Sequence, residues 1–257
     1  MRPFDREAFL RVRDEVLSRE REQKGIGTLG EKSLHAVLKA YYEPFGALHE
    51  QKLGRYVADI LNEEGVTEIQ TQSLSKMRDK LRAFTAVTHV TVIHPVVRNK
   101  WLSWVDPETG ETSPKRKSPK KGTLYDAFWE LMFLRELLPD ENLTVCLVLL
   151  DMEETRYLNG WSRDKKRGSS RMDRFPTELV SETVLRTRED WFAFVPEELP
   201  ETFTRKEFSA AAGIRAECAG WCIAVLEAVG VLVHDGKRGR EYLYRRQDAR
   251  DEGQSAQ

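Results

Sequence analysis

The stretch RYVADILNEEGVTEIQTQ, residues 55–72, carries the pattern on which the predicted fold depends. Two extended segments flank the sequence NEEG at 62–65, a four-residue turn with glycine at its last position. If those four residues form the turn, Asp59 lies directly opposite Glu68. Side chains that are opposite each other on an antiparallel pair are about 5 Å apart. The sequence therefore predicts two carboxylates that face each other across a hairpin.

This predicted pair of acids is typical of a metal site. Like charges directly opposite each other destabilise a sheet, and a divalent cation between Asp59 and Glu68 removes that cost. Hard oxygen ligands at this spacing suit Mg²⁺ or Mn²⁺, and Glu31 on the preceding predicted helix can add a third carboxylate. Such a site activates water and stabilises charge at a phosphate. Two simpler alternatives are that Glu31 only caps its helix behind Thr28, and that the opposed acids are solvated on an exposed face.

The arrangement resembles the PD-(D/E)xK, or restriction-endonuclease-like, nucleases over about residues 24–159. The core of that family follows the order helix, hairpin, strand, helix, strand, with an acid on the first helix. Glu31 matches this acid, and Asp59 matches the aspartate of the second core strand. The segment EIQ at 68–70 matches the acidic-x-Lys motif of the third strand. The resemblance implies that Asp59, Glu68 and Glu31 bind Mg²⁺ or Mn²⁺.

Two positions depart from the pattern of that family. Gln70 stands where the family has lysine, and it can orient a water but carries no charge. Lys76, on the following predicted helix, can supply the missing charge from a shifted position. Ala58 replaces the proline of the motif. The resemblance implies an α/β (α+β) fold, with a mixed central sheet flanked by helices. It also implies cleavage of DNA by a metal-activated water, with a possible homodimer that cuts both strands.

The C-terminal part predicts a separate small domain. Residues 202–246 show the order helix, turn, helix and hairpin, with a basic, glycine-rich tip at 235–239, and this resembles a winged-helix domain. The predicted organisation assigns 1–23 to an amphipathic helix, 24–175 to a nuclease-like domain, 176–201 to a connecting segment with a helix, 202–246 to the winged helix and 247–257 to a disordered tail. The second helix of the module is poor in residues that read base edges, which favours contact with phosphates through the wing.

Two basic stretches concentrate positive charge on a chain that is nearly neutral overall. Residues 114–122 and 159–174 are predicted loops, and tryptophans at 101, 104 and 161 flank them and can stack on bases. The candidate DNA-binding residues are Lys115, Arg116, Lys117, Lys120, Lys121, Arg163, Lys165, Lys166, Arg167, Arg215, Lys237, Arg238 and Arg240. The alternatives are that the loops are merely solvated, and that the C-terminal module serves packing or dimerisation.

Composition excludes several other classes of protein. The 257 residues carry a net charge of −1, and no apolar run has the roughly 18 residues that a membrane span needs. Three cysteines give neither a disulfide framework nor a zinc pattern, and no signal segment is evident, so we expect a cytoplasmic protein.

Glycines 25, 27 and 30 fit G-x-G-x-x-G, but a charged helix precedes them, and this excludes a nucleotide cofactor there. His35 can contact the acids, although a histidine on a helix face is the simpler expectation.

The sequence thus favours a Mg²⁺-dependent phosphodiesterase, an endonuclease that acts on DNA. One alternative is a catalytically degenerate regulator that binds DNA through its winged helix, which Gln70 in place of lysine supports. Another is an interaction subunit of a larger DNA-processing or defence complex.

Overall fold

A computed structural model of the protein describes residues 4–24, 33–159 and 170–247. Its α-helices are α1 (Arg6–Lys24), α2 (Ser33–Tyr42), α3 (Arg78–Thr85), α4 (Phe128–Leu131), α5 (Arg205–Ala211) and α6 (Ala216–Ala228). Short 3₁₀ helices lie at Gly46–Leu48, Leu74–Met77, Leu124–Ala127, Met132–Leu134 and Arg188–Phe194.

The strands form two sheets. They are β1 (His49–Leu53), β2 (Tyr56–Asn62), β3 (Gly65–Ile69), β4 (Val90–Val105), β5 (Arg116–Lys117), β6 (Leu143–Tyr157), β7 (Ser170–Leu185), β8 (Thr202–Thr204), β9 (Leu232–Arg238) and β10 (Glu241–Arg246). Seven strands form one sheet in the order β1-β2-β3-β4-β6-β7, with β5 paired to β4. The second sheet has the order β8-β10-β9. Helices flank the central sheet, so the predicted mixed α/β class is confirmed at this level.

The central sheet contains both strand directions. The hairpin β2-β3 is antiparallel, as its pairing shows. At one end of β4 the amide of Val90 donates to the carbonyl of Asn142, and beyond its other end the amide of Leu158 donates to the carbonyl of Val105. Strands β4 and β6 therefore start and finish together, which means that they run parallel.

The chain divides into two compact units. The first unit consists of the described residues within Met1–Thr71, Ile93–Thr123 and Leu147–Thr183. The second consists of the described residues within Gln72–Val92, Leu124–Cys146 and Val184–Gln257. The segment predicted to connect two domains, 176–201, holds the end of β7 and the 3₁₀ helix Arg188–Phe194.

The core of the first unit includes one face of α2. The apolar residues of that helix recur at helical spacing, and such a stripe is buried when a helix lies on a sheet. Leu34, Val37, Leu38 and Tyr41 are fully buried. The ring of Phe9 on α1 meets Tyr41 edge-on, with the ring centroids 5.4 Å apart. These contacts fix α2 beside the hairpin that carries the predicted acids.

The second unit contains the predicted winged-helix pattern of α5, α6 and the hairpin β9-β10. The hydroxyl of Thr204 accepts a hydrogen bond from the amide of Glu207, whose carboxylate accepts one from the amide of Thr204, and this capping box starts α5. Gly213, with φ +64°, makes the turn to α6. The tip is shorter than predicted, because β9 continues to Arg238 before it turns to β10.

The prediction of a loop over 159–174 is wrong for 170–174, which begin β7. Strand β7 is the last in the sheet order, and polar residues are tolerated on an edge strand because one side of its backbone can face water. The predicted loop 114–122 also contains a short strand, β5, which pairs with β4 through Lys117 opposite Trp101. Polarity alone therefore does not distinguish a loop from an edge strand.

Among the described residues, no single helix combines the length and the apolar character needed to cross a membrane. The pair α5 and α6 meets both criteria when taken together, but the two helices are bent by 105°.

Candidate active site

The hairpin β2-β3 has the predicted register. Asn62 pairs with Gly65, Leu61 with Val66 and Ile60 with Thr67. The side-chain oxygen of Asn62 accepts a hydrogen bond from the amide of Glu64 at the start of the turn. Gly65 ends the turn with φ +110°, a backbone conformation that glycine adopts readily. The next position along each strand places Asp59 opposite Glu68.

Each of the two acids is bonded to the backbone of the other strand. The amide of Asp59 donates to Oε1 of Glu68 at 3.2 Å, and the amide of Ile69 donates to Oδ2 of Asp59 at 2.8 Å. Glu68 is only 2% exposed, which contradicts the alternative that it is solvated on an open face. A buried carboxylate needs hydrogen bonds to offset the cost of dehydration. Each of the two carboxylates is therefore held by a backbone amide of the opposite strand.

A histidine belongs to this group, although the sequence favoured a simple position on a helix face over a contact with the acids. Nε2 of His35, on α2, donates to Oδ2 of Asp59 at 3.2 Å. That oxygen also accepts the amide of Ile69, so two donors fix the carboxylate. The signal in the sequence was weak, because one histidine on a helix face looks the same whether it packs or binds. His35 is not one of the buried residues of α2, and only its contact with Asp59 shows its role.

A third acid lies on the neighbouring strand. His49 pairs with Ile60 and Gln51 with Ala58, so Glu50 on β1 is placed opposite Asp59. Glu50 has φ +55°, an uncommon backbone conformation for a residue with a side chain.

The carboxylate of this third acid is held by a lysine. Nζ of Lys39 lies 2.5 Å from Oε1 of Glu50. The hydrogen bond and the charge of Lys39 lower the pKa of Glu50 below its ordinary value. Glu50 is thereby kept ionised beside Asp59.

The remaining predicted catalytic residues are placed as follows. Gln70 directly follows β3, and its backbone is held by the carbonyl of Ile93 and by Nδ1 of His94. Lys76 is exposed on the 3₁₀ helix Leu74–Met77 of the second unit. Glu31 and its proposed cap Thr28 lie outside the described residues. Within the described ranges, no group of three or more His, Cys, Asp or Glu side chains is arranged to hold a metal ion.

The basic segment 114–122 covers the tryptophans that were predicted to stack on bases. The guanidinium of Arg116 lies 5.6 Å from the ring centroid of Trp104, and Nζ of Lys117 lies 5.3 Å from that of Trp101. These cation–π contacts are internal to the protein. Three further predicted DNA-binding residues belong to this segment: Lys115, which pairs with Glu153 at 2.6 Å, and Lys120 and Lys121, which are both exposed. Trp161 and the predicted residues Arg163, Lys165, Lys166 and Arg167 lie outside the described residues.

The second unit presents its predicted cations at the wing. Arg215, at the start of α6, is exposed, as are the wing residues Lys237, Arg238 and Arg240. Nζ of Lys237 lies 4.7 Å from the ring centroid of Tyr242, and Arg238 pairs with Glu207 at 2.8 Å.

The second helix of the winged-helix pattern is largely inside the second unit. Six of its thirteen residues are buried, and Trp221 packs against Trp129 with the ring centroids 4.9 Å apart. Helix α6 is therefore a packing element more than a helix free to enter a DNA groove.

The fold and this site define an α/β protein with a mixed sheet and, in one of its hairpins, two carboxylates that each bond to the backbone of the opposite strand. The chain belongs to a family described as "Domain of unknown function (DUF8091)", which matches residues 32–186. An "Uncharacterized protein" of Treponema pallidum (strain Nichols) is similar, with 28% identity over 227 residues that cover 88% of this chain and 89% of that protein. No solved structure matches the chain. The matched domain contains both acids and the basic segment, and it ends before the wing.

Proposed function

We propose that this protein is a metal-dependent nuclease that hydrolyses phosphodiester bonds in DNA. The observation that carries the proposal is the contact between Asp59 and Glu68 on adjacent strands. Each carboxylate accepts a hydrogen bond from a backbone amide of the other strand. Two opposed acids repel each other and cost stability, and a bound cation would offset that repulsion, so the pair favours a role in binding one.

The order of elements supports the proposed restriction-endonuclease-like fold. Helix α2 is followed by β1, β2 and β3, then by α3 and β4, and the four strands are neighbours in that order. This is the helix, three strands, helix, strand arrangement that the resemblance implies. In it the aspartate belongs to the second strand and the acidic-x-Lys motif to the third, which are the positions of Asp59 and Glu68.

The donor set fits a hard divalent cation. Asp59 and Glu68 offer carboxylate oxygens, and Mg²⁺ binds proteins through one or two carboxylates while it keeps several waters. A bound Mg²⁺ or Mn²⁺ supplies a water of lowered pKa and neutralises charge on the phosphate. His35 fixes the orientation of the Asp59 carboxylate by donating to Oδ2. Gln70, with its backbone held by β4, orients the attacking water through its side-chain amide.

Cleavage of plasmid and linear DNA with Mg²⁺ or Mn²⁺ tests the proposal. Wild-type protein should nick or linearise the substrate, and chelation of the metal should stop the reaction. Asp59→Asn and Glu68→Gln should each abolish cutting while the circular dichroism spectrum is unchanged. Glu63→Gln is the matched control, because it removes an exposed acid from the turn of the same hairpin and should cut like wild type.

Two outcomes would contradict the proposal. One is DNA that stays intact with either metal, whether it is double-stranded or single-stranded. The other is cutting by Asp59→Asn or Glu68→Gln at the rate of Glu63→Gln.

A second candidate is a DNA-binding regulator on a catalytically inactive nuclease scaffold. Gln70 in place of the lysine of the family favours it, as do the exposed cations of the wing. On this alternative, DNA stays intact with metal, and Lys237→Gln together with Arg240→Gln weakens binding to all sequences alike.

A further inference from the structure

A buried glutamate in the first unit gathers three cations. The side chain of Glu154, on β6, is 2% exposed. Arg156 approaches one of its oxygens at 2.5 Å, while Lys100 and Arg171 approach the other at 3.4 and 3.8 Å. One carboxylate therefore faces three cations, which leaves a formal excess of two positive charges at this point.

The cations come from neighbouring strands and share one face of the sheet. Lys100 is on β4, Arg156 on β6 and Arg171 on β7, and all three reach the same carboxylate. Arg116 on β5 is paired with Leu102, which lies two residues from Lys100 on β4. Because side chains at i and i+2 of a strand point to the same face, Arg116 extends the row by one strand. The strands follow the order β5-β4-β6-β7, so four cations occupy four successive strands.

The glutamate remains charged and contacts the charged groups of these side chains. Burial acts to raise the pKa of Glu154, but Lys100, Arg156 and Arg171 outweigh it and keep the pKa below its ordinary value of 4.5. The three side chains that contact Glu154 nevertheless remain 29, 30 and 50% exposed. Cations that a protein carboxylate already orders, and that remain partly exposed, are prepared for an anion, since part of the entropy of ordering is already lost.

We propose that this row, Arg116, Lys100, Arg156 and Arg171 arranged around Glu154, binds successive phosphates of a nucleic acid backbone. The identity of the ligand rests on the proposed function, whereas the site itself is separate from the acids of the hairpin. Arginine presents a planar fork that matches phosphate geometry, and three of the four cations are arginines.

The length of the row favours a polynucleotide over a single phosphate. Neighbouring strands are about 4.8 Å apart, so four strands span about 14 Å. A DNA strand carries one phosphate for every ~3.4 Å of helix axis, so about four phosphates lie along that distance. A free phosphate ion contacts one or two of these cations, whereas a backbone can contact all of them.

Binding measured without divalent metal tests this site independently of cleavage. A short, fluorescently labelled DNA duplex is titrated with the full chain in EDTA over a range of salt concentrations, and anisotropy is read. The logarithm of the association constant falls with the logarithm of salt, with a slope of about 0.9 per phosphate contact in duplex DNA. Arg171→Gln should lower that slope by about 0.9, and Arg171→Gln with Lys100→Gln by about 1.8.

Arg11→Gln is the matched control, since it removes the same charge from an exposed position on α1 and should leave the slope unchanged. Equal slopes for Arg171→Gln and Arg11→Gln would overturn the proposal. Inorganic phosphate that displaces the duplex at a concentration equal to that of the DNA phosphates would also overturn the proposal, because the site would then bind a single phosphate. Equally effective competition by polyglutamate of matched charge would assign the surface to an acidic protein instead. Cleavage is assayed separately, so failure of the nuclease proposal is seen as intact DNA with binding retained.

Discussion

The acids of the hairpin and the acids of β6 belong to the same unit and are stabilised in different ways. Asp59 and Glu68 accept hydrogen bonds from backbone amides, and Asp59 also accepts one from His35. On β6, Asp151 is bonded to the guanidinium of Arg98 at 2.8 and 2.7 Å, and Glu154 faces three cations. The first pair is held by dipoles and the second by full charges.

This difference indicates what each group of acids can do. An amide satisfies a carboxylate oxygen without cancelling its charge, so Asp59 and Glu68 keep the negative charge that the proposed metal cation requires. A guanidinium neutralises the carboxylate it binds, so Asp151 serves stability and Glu154 serves to order the cations around it. Four predictions test this comparison.

The largest expected effect is on stability at β6. Asp151→Ala leaves Arg98 and the amide groups of Asn99 without their shared acceptor. Loss of one partner from a buried pair costs about 3 kcal/mol of unfolding free energy. Urea unfolding measures it, with Asp14→Ala as the control. Asp14 pairs with Arg13 at the surface, where such a contact is worth about 1 kcal/mol or less. Equal losses for the two variants would contradict the structural role of Asp151.

The next effect concerns the metal. Saturation with Mn²⁺ at a hundred times its Kd should stabilise the wild type by about 2.7 kcal/mol. Glu68→Gln should lose this increment, yet it should be as stable as the wild type in EDTA. The glutamine side chain still offers an oxygen to the backbone amide of Asp59, and it carries no charge that repels the Asp59 carboxylate. Denaturant midpoints with and without Mn²⁺ give both numbers. An increment that persists in Glu68→Gln and is equal to that of Glu63→Gln would place the metal elsewhere.

A smaller effect is expected from acid. The pKa of Glu154 in the folded protein is lowered, so its contribution to stability is complete above about pH 4.5 and is lost as the pH falls below that value. Glu154→Gln should be less stable than wild type at neutral pH, and its stability should fall less steeply between about pH 5 and about pH 3. Urea midpoints over that range measure the slope. Parallel curves for the two proteins would show that the cations do not depend on this carboxylate.

The smallest effect on stability is expected at His35. His35→Ala removes one hydrogen bond to Asp59 and should cost about 1 kcal/mol. Loss of a residue that hydrogen-bonds to a metal ligand typically weakens metal affinity by tenfold or more. The affinity for Mn²⁺, measured by calorimetry, should therefore fall by about tenfold in His35→Ala. His35→Gln retains a donor and should recover part of that affinity. Unchanged affinity in His35→Ala would reduce His35 to a packing residue.

The outcome at the hairpin shows which features were predictable. Strand periodicity of two and a turn ending in Gly65 are local properties, and they placed Asp59 opposite Glu68. The buried stripe of α2 and the capping box at Thr204 are likewise local features, because each depends on residues within a few positions of one another. Charge and polarity were poorer guides, because a short basic strand such as β5 has the composition of a loop.

The sequence by itself determined the mixed α/β class, the register of the acid hairpin and the order of helices and strands near the C-terminus. Only the tertiary structure decided that His35 reaches Asp59, that Arg116 and Lys117 cover tryptophans, and that Lys100, Arg156 and Arg171 converge on Glu154. Periodicity and turn chemistry act over a few neighbouring residues. The contact from β4 to Glu154 joins residues 54 positions apart, and it exists because two parallel strands lie side by side.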